Sequence, residues 1–349
     1  MKTIAALELK PGMVLANDIK NVKGDIIIPQ KSIVNDVIIA KLYRYQVMAV
    51  DIFEEEDLAS THFEKVRLSK VFKDFERHYN VYMIIYKRMI NELISQKKSI
   101  DKDALMKIYK DITTVVPSGE TLLDYLYNML PSKDDLTYAH CLNSALIAGI
   151  FGNWLNLPEE EITTLIYTGF VYDVGKLLLP QDVLWKPSKL TNEEFALIKT
   201  HTGKGYNVIK DQFDMDIVKA TLQHHERCDG TGYPQGFTSE NISKYAKLIS
   251  IVDAYEAMTS ARTYRESLTP LQVVANFEDT ARFYEKAYLQ PILTKIANTQ
   301  LGMTVMLNDN SIGEVIKINP NYLSKPLLKD ADKEIDMSLD PRLKVIAVL

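Results

Sequence analysis

The spacing of apolar and polar positions changes twice along this 349-residue chain, and the changes mark out three kinds of structure. Near the start, "MVLANDI" and "DIIIP" flank the turn signal "NVKGD", which predicts a hairpin. "VNDVIIAKLYRYQ" then places apolar residues at helical spacing, and "VMAVDIF" reads as a returning strand. The acidic run "EEED" closes this module near Asp57. From about Ala59 to Gln300 helical periodicity dominates. "THFEKVRLSKVFKDFERHYNVYMIIYKRMINELISQ" predicts one long helix or two end to end, and "DKDALMKIYKDITTVV" another behind an Asp cap. The last stretch alternates again: "GMTVMLNDNSIGEVIKINP" surrounds the turn-forming "NDNSIG", and "LKVIAVL" is placed to close a small sheet. The expected fold class is therefore mainly α, a helical bundle with a small α/β N-terminal module and a short β C-terminal appendage.

Composition narrows the function classes. With 46% hydrophobic residues and both signs of charge interspersed, the chain is expected to bury a proper core. A formal net charge of -5 argues against a general nucleic-acid binder and leaves room only for a local basic pocket. The N-terminus turns polar too early for a secretory signal. The longest apolar stretch, "ALIAGIFGNWLNL", contains Asn153 and Asn156 and is too short to cross a bilayer, so a cytoplasmic protein without membrane contact is expected. Cys141 and Cys228 form no paired-cysteine motif and read as bystanders.

Candidate chemistry lies in the helical body. Four of the six histidines, His140, His201, His224 and His225, fall between residues 140 and 225 of that body. Asp173 is read inside an apolar helix just before Gly175 and Lys176, where an unpaired carboxylate is costly to bury. His201 is read at the end of an amphipathic helix opened by the capping signal "TNEE". His224 and His225 end another helix with side chains about 100° apart, and Asp253 stands in an otherwise apolar helical segment. Imidazoles and carboxylates converging from several helices suit one or more transition-metal ions. The plainer alternative is equally open to spacing alone: hydrogen-bonded histidines, and an Asp173 that caps or pairs with Lys176.

Taken together, "YDVGKLLLP", "LWKPSKLTNEEFALIKTHTGKGYNVI", "QHHERCDGTGYPQG" and "AKLISIVDAYEAMTSARTYRES" resemble the HD-GYP family of the HD phosphohydrolase superfamily, over roughly residues 132–295. The resulting division is 1–57 as the N-terminal module, 58–131 as a helical linker, 132–295 as the phosphohydrolase domain and 296–349 as the β appendage. "LKPGMVLANDI" is also similar to a small domain often found before such bodies. The resemblance implies an all-helical domain that hydrolyses the bacterial messenger cyclic di-GMP with divalent iron or manganese. It implies His140, Asp173, His201, His224, His225 and Asp253 as metal ligands, with Asp173 bridging. Lys176 resembles the lysine at the scissile phosphate, Tyr233 would line the nucleotide pocket, and Arg262 and Arg265 resemble arginines that grip phosphates.

Two positions depart from the family pattern. The eponymous His-Asp pair should stand at 172 and 173, yet this chain has Tyr172 before Asp173. A phenol, with a reference pKa of about 10, binds a divalent metal only after losing its proton. Trinuclear members carry a glutamate where this chain has Leu136. One or two ions are therefore expected, with hydrolysis of cyclic di-GMP to pGpG or GMP weakened by a lost ligand. The alternative is a receptor that holds the nucleotide without cutting it. The N-terminal module is the expected place for a homodimer contact or a protein partner.

Overall fold

The computed structural model describes residues 1–349 except 11, 22, 23, 55–59, 187, 261–266 and 332. Its backbone contacts divide the chain into two compact units, Met1–Lys73 and Asp74–Leu349.

In the first unit, β1 (Lys2–Ala5) and β2 (Val14–Leu15) pair antiparallel with opposite edges of β5 (Ala49–Phe53). β3 (Ile19–Lys20) and β4 (Ile26–Ile28) form the hairpin that "NVKGD" signals. α1 (Asp36–Arg44) begins where the Asn35 side chain accepts from the Ile38 amide at 2.9 Å, a standard way to satisfy an orphan N-terminal donor. Leu15, Val34, Leu42 and Val50 make a core of their own.

The stretch read as one or two helices is two, α2 (His62–Leu68) and α3 (Lys70–Gln96). Ser69 between them is extended (φ −62°, ψ 145°), and its hydroxyl accepts from the Phe72 amide at 3.1 Å. In the second unit α4 (Lys102–Thr113) starts behind Asp101, followed by α5 (Gly119–Asn128). α6 (Leu136–Trp154) is buried on every face from Thr137 to Gly152, which makes it the central helix of the bundle. Around it lie α7 (Glu159–Val171), α8 (Gln181–Leu184), α9 (Asn192–Lys199), α10 (His201–Ile209), α11 (Met215–Gln223), α12 (Lys244–Thr259), α13 (Pro270–Thr280) and α14 (Lys286–Asn298). Among the described residues no helix is long and apolar enough to cross a membrane.

The C-terminal stretch forms an antiparallel sheet of β6 (Thr304–Leu307), β7 (Ile312–Asn319), β8 (Tyr322–Asp330), β9 (Lys333–Asp336) and β10 (Val345–Val348), ordered β10-β6-β7-β8-β9. Sequence reasoning found β6, β7 and β10 but not β8, which contains Pro326. The strand tolerates that proline because β9 pairs only with Leu327–Asp330 and the β7–β8 register is irregular on its other side.

Two local readings need correction, and both bear on the site. Asp173 is not inside a helix: α7 stops at Val171, Tyr172 is its C-cap, and a 3-10 turn over Val174–Leu178 follows. His201 does not end its helix but opens the next one. Thr191 and Glu194 form the anticipated capping box at the start of α9, yet the axis breaks at Thr200. Thr200 keeps helical angles (φ −65°, ψ −15°), so the break has no residue signature.

Candidate metal centre

Close packing between the turn after α7 and the start of α10 brings the first ligands together. A Cβ on Gly175 would sit 1.9 Å from the His201 carbonyl oxygen, so only glycine lets the turn approach α10 this closely. Asp173 and His201 thereby become neighbours, both fully buried. α6 contributes His140, the end of α11 contributes His224 and His225, and α12 contributes Asp253.

All six expected ligands converge, in two triads. His201, His224 and His225 offer ligand atoms within 4.8 Å of one another, as do His140, Asp173 and Asp253. Asp173 joins the two. Its Oδ2 lies 3.2 Å from His140 Nε2, while its Oδ1 lies 3.4 Å from His201 Nε2 and 3.8 Å from His224 Nε2. Asp253 is similarly two-sided, with Oδ1 3.1 Å from His140 Nε2 and Oδ2 4.0 Å from His225 Nδ1.

Among the described residues the His201 triad has no cation of its own. His201 Nδ1–H donates to the Ile198 carbonyl at 2.6 Å and His224 Nδ1–H to the Thr221 carbonyl at 2.8 Å. With those tautomers fixed, the two Nε2 atoms face each other at 3.2 Å as bare lone pairs. Burial, reinforced by the neighbouring imidazole, lowers His224 to about 3. Burial also lowers His201 and His225. Two unprotonated nitrogens this close repel unless a cation lies between them, and 3.2 Å is the separation of two nitrogens each about 2.1 Å from one ion. The donor set therefore fits a divalent transition metal.

The His140 triad is different, because positive charge is already built into it. Lys176 makes an ion pair with Asp173 Oδ2. His140 Nδ1–H donates to Glu256 Oε2 at 2.5 Å. Burial disfavours the charged ring, but Glu256 and the two aspartates outweigh it and hold His140 well above its ordinary value. Tyr172, fully buried, has its hydroxyl 2.6 Å from His140 Nε2 and 3.1 Å from Asp253 Oδ1. Burial, with Asp253 nearby, pushes the phenol well up, so it stays protonated. The consistent network runs from His140 Nε2–H to Tyr172 Oη and from Tyr172 O–H to Asp253. Burial alone would raise the Asp173 carboxyl, yet Lys176 and the protonated His140 hold it well below the usual carboxylate range.

Several residues of the site were not legible in the sequence. Glu256 lies three residues after Asp253 on the same face of α12, a spacing that could have revealed it. Asn143 Nδ2 donates to Glu256 Oε1 at 3.0 Å, and the buried Tyr79 hydroxyl donates to Asn143 Oδ1 at 2.7 Å. Such partners fix the orientation of the His140 ring. Glu226 accepts from the Gln235 and Phe237 amides at 2.7 and 2.9 Å and so ties down the "GTGYPQG" loop. A Cβ on Gly232 would meet the Glu226 backbone at 2.4 Å, which is why the loop can fold back so tightly. Tyr233 then stacks on His225, ring centroids 4.7 Å apart. Arg262 and Arg265 lie outside the described residues.

Residues 124–287 match the family model for the HD domain. The chain is 29% identical over 202 residues to the cyclic di-GMP phosphodiesterase PA4108 of Pseudomonas aeruginosa, covering 57% of this chain and 49% of that protein. It is 31% identical over 184 residues to the cyclic di-GMP phosphodiesterase response regulator RpfG of Xanthomonas campestris, covering 51% and 49%. It is also 33% identical over 148 residues to the 3'3'-cGAMP-specific phosphodiesterase 1 of Vibrio cholerae, covering 42% and 34%. The chain thus spans about half or less of the length of these curated relatives.

Proposed function

We propose that this chain hydrolyses cyclic di-GMP to pGpG or GMP, using one iron or manganese ion held by Asp173, His201, His224 and His225. The observation that carries the reading is the facing pair of bare imidazole nitrogens beside Asp173. It lies in the stretch that matches the HD domain, and the matched relatives are named as cyclic-dinucleotide phosphodiesterases.

A bound ion supplies Lewis acidity to a phosphoryl oxygen and lowers the pKa of water. The chain's own groups do the rest. Lys176 stays cationic, because Asp173 outweighs the effect of burial, and it neutralises charge gathering on the phosphate. His140, Tyr172, Asp253 and Glu256 form a closed hydrogen-bonded network that fixes the Oδ2 side of Asp173 and leaves Oδ1 facing His201 and His224. Arg262 and Arg265 are assigned to the ligand's phosphates from the family resemblance. In this reading Tyr172 leaves the His140 half without an ion and the catalyst slower than a two-ion site.

The test is incubation of the full chain, loaded with ferrous iron or manganese, with cyclic di-GMP and separately with 3'3'-cGAMP, followed by chromatography. Linear pGpG or GMP from cyclic di-GMP is expected. Cleavage of 3'3'-cGAMP alone would move the substrate assignment, and tight binding with both nucleotides left intact would make the protein a receptor.

A further inference from the structure

Beside the metal centre lies a cavity of about 210 Å³ that no step above uses. Its walls are Leu136, Leu184, Trp185, Leu190 and Ile198, contributed by α6, α8, α9 and the segment between α8 and α9. Its polar end is formed by Lys176, His140 and Glu256. The cavity therefore passes from the cation that would meet a phosphate to a pocket of apolar and aromatic surface.

Three features define what it accepts. Its volume falls below the roughly 300–1,000 Å³ of pockets that enclose a whole small-molecule ligand, so it takes a fragment of one. Apart from Thr137 and Ser260 the wall is apolar, and the Glu256 carboxylate in its lining disfavours a second phosphate as occupant. Trp185 is half-buried and held in place by its indole N–H, which donates to Gln181 Oε1 at 3.2 Å. A pinned indole face next to a phosphate-facing lysine suits a nucleobase, since every base offers a π face for stacking. We infer that this cavity is the subsite for one purine base of the cyclic dinucleotide, with Trp185 as its stacking platform. The inference rests on the cyclic-dinucleotide reading proposed above and adds Trp185 as a specificity-determining residue. Leu136 belongs to the same wall, so the position expected to supply a glutamate to a third ion here supplies apolar surface instead.

The chain has two tryptophans, which makes the inference directly readable. In Trp154→Phe, Trp185 is the sole source of indole emission. Rapid mixing of this variant with cyclic di-GMP should quench that emission, with a midpoint matching the affinity found by calorimetry. Trp185→Leu should bind cyclic di-GMP about tenfold or more weakly, while Trp185→Phe should retain most of the affinity. If Trp154→Phe fails to fold, the difference in emission between wild type and Trp185→Phe gives the same signal. Calorimetric binding with unchanged Trp185 emission and full affinity in Trp185→Leu would overturn the base subsite alone. Absence of any cyclic di-GMP binding by the wild type would overturn the cyclic-dinucleotide reading itself, and the subsite with it.

Discussion

The His201 and His140 halves of the site are built from the same kinds of side chain and share Asp173, yet they meet their need for positive charge in different ways. In the His201 half every imidazole is held below its ordinary value, and two Nε2 lone pairs face each other at 3.2 Å. Only an external cation relieves that arrangement. In the His140 half, Lys176 and a protonated His140 stand among Asp173, Asp253 and Glu256, with Tyr172 closing the network. A metal entering there would have to expel a proton and break the Tyr172 contacts. The same donor list can thus specify an ion or its replacement, depending on whether protons and ammonium groups already satisfy the carboxylates.

This contrast can be broken most forcefully from the His201 side. His224→Ala should lose the bound ion and lower cyclic di-GMP hydrolysis at least about a hundredfold, measured by elemental analysis and product chromatography. Retention of the ion would show that the facing nitrogens do not hold it. Lys176→Met should lower hydrolysis by about two orders of magnitude while the ion content stays the same. A parallel loss of metal in that variant would mean that Lys176 shapes the ion site and does not act on the phosphate. Tyr172→His should raise the ion content from one to two per chain and speed hydrolysis about tenfold. An unchanged ion count would contradict the idea that Tyr172 keeps the His140 half closed.

The smallest effect is on stability after the metal is removed with chelator. Between pH 7 and 5 the unfolded chain takes up protons on all four site imidazoles. The folded chain already carries the proton on His140 and refuses those on His201, His224 and His225. The unfolded state therefore binds more protons, and stability falls as the pH drops. The aspartates contribute little in this window, because Asp173 and Asp253 are ionised in both states well below pH 5. The urea midpoint should be lower at pH 5 than at pH 7, and an equal or higher midpoint would contradict the assignment of lowered histidines.

The sequence carried the ligands further than it carried their surroundings. Asp253 stands in a helical segment and His224 and His225 directly follow one, and the capping box at Thr191 announces α9. The breaks at Asp173 and Thr200 were hidden because Tyr172 and Thr200 keep helical dihedrals, and neither residue type is a helix breaker. Glu256, Asn143 and Tyr79 were hidden for a different reason. Each reads locally as an ordinary helical residue, and its role exists only once α3, α6 and α12 bring positions 79, 143, 256 and 140 together. The place of Tyr172 was half visible: its residue type raised the expectation of a lost ligand, but not that its hydroxyl would occupy the hydrogen-bonding position between His140 and Asp253. The base cavity was invisible, because Leu136, Trp185 and Ile198 become one wall only in the fold.

The central claim, a single ion in the His201 half, is most directly tested by anomalous diffraction at the metal edge on crystals of protein purified without chelator. One peak is predicted, between His201 Nε2 and His224 Nε2 and next to Asp173 Oδ1. A second peak of comparable height among His140, Asp173 and Asp253, or a single peak found there instead, would contradict it.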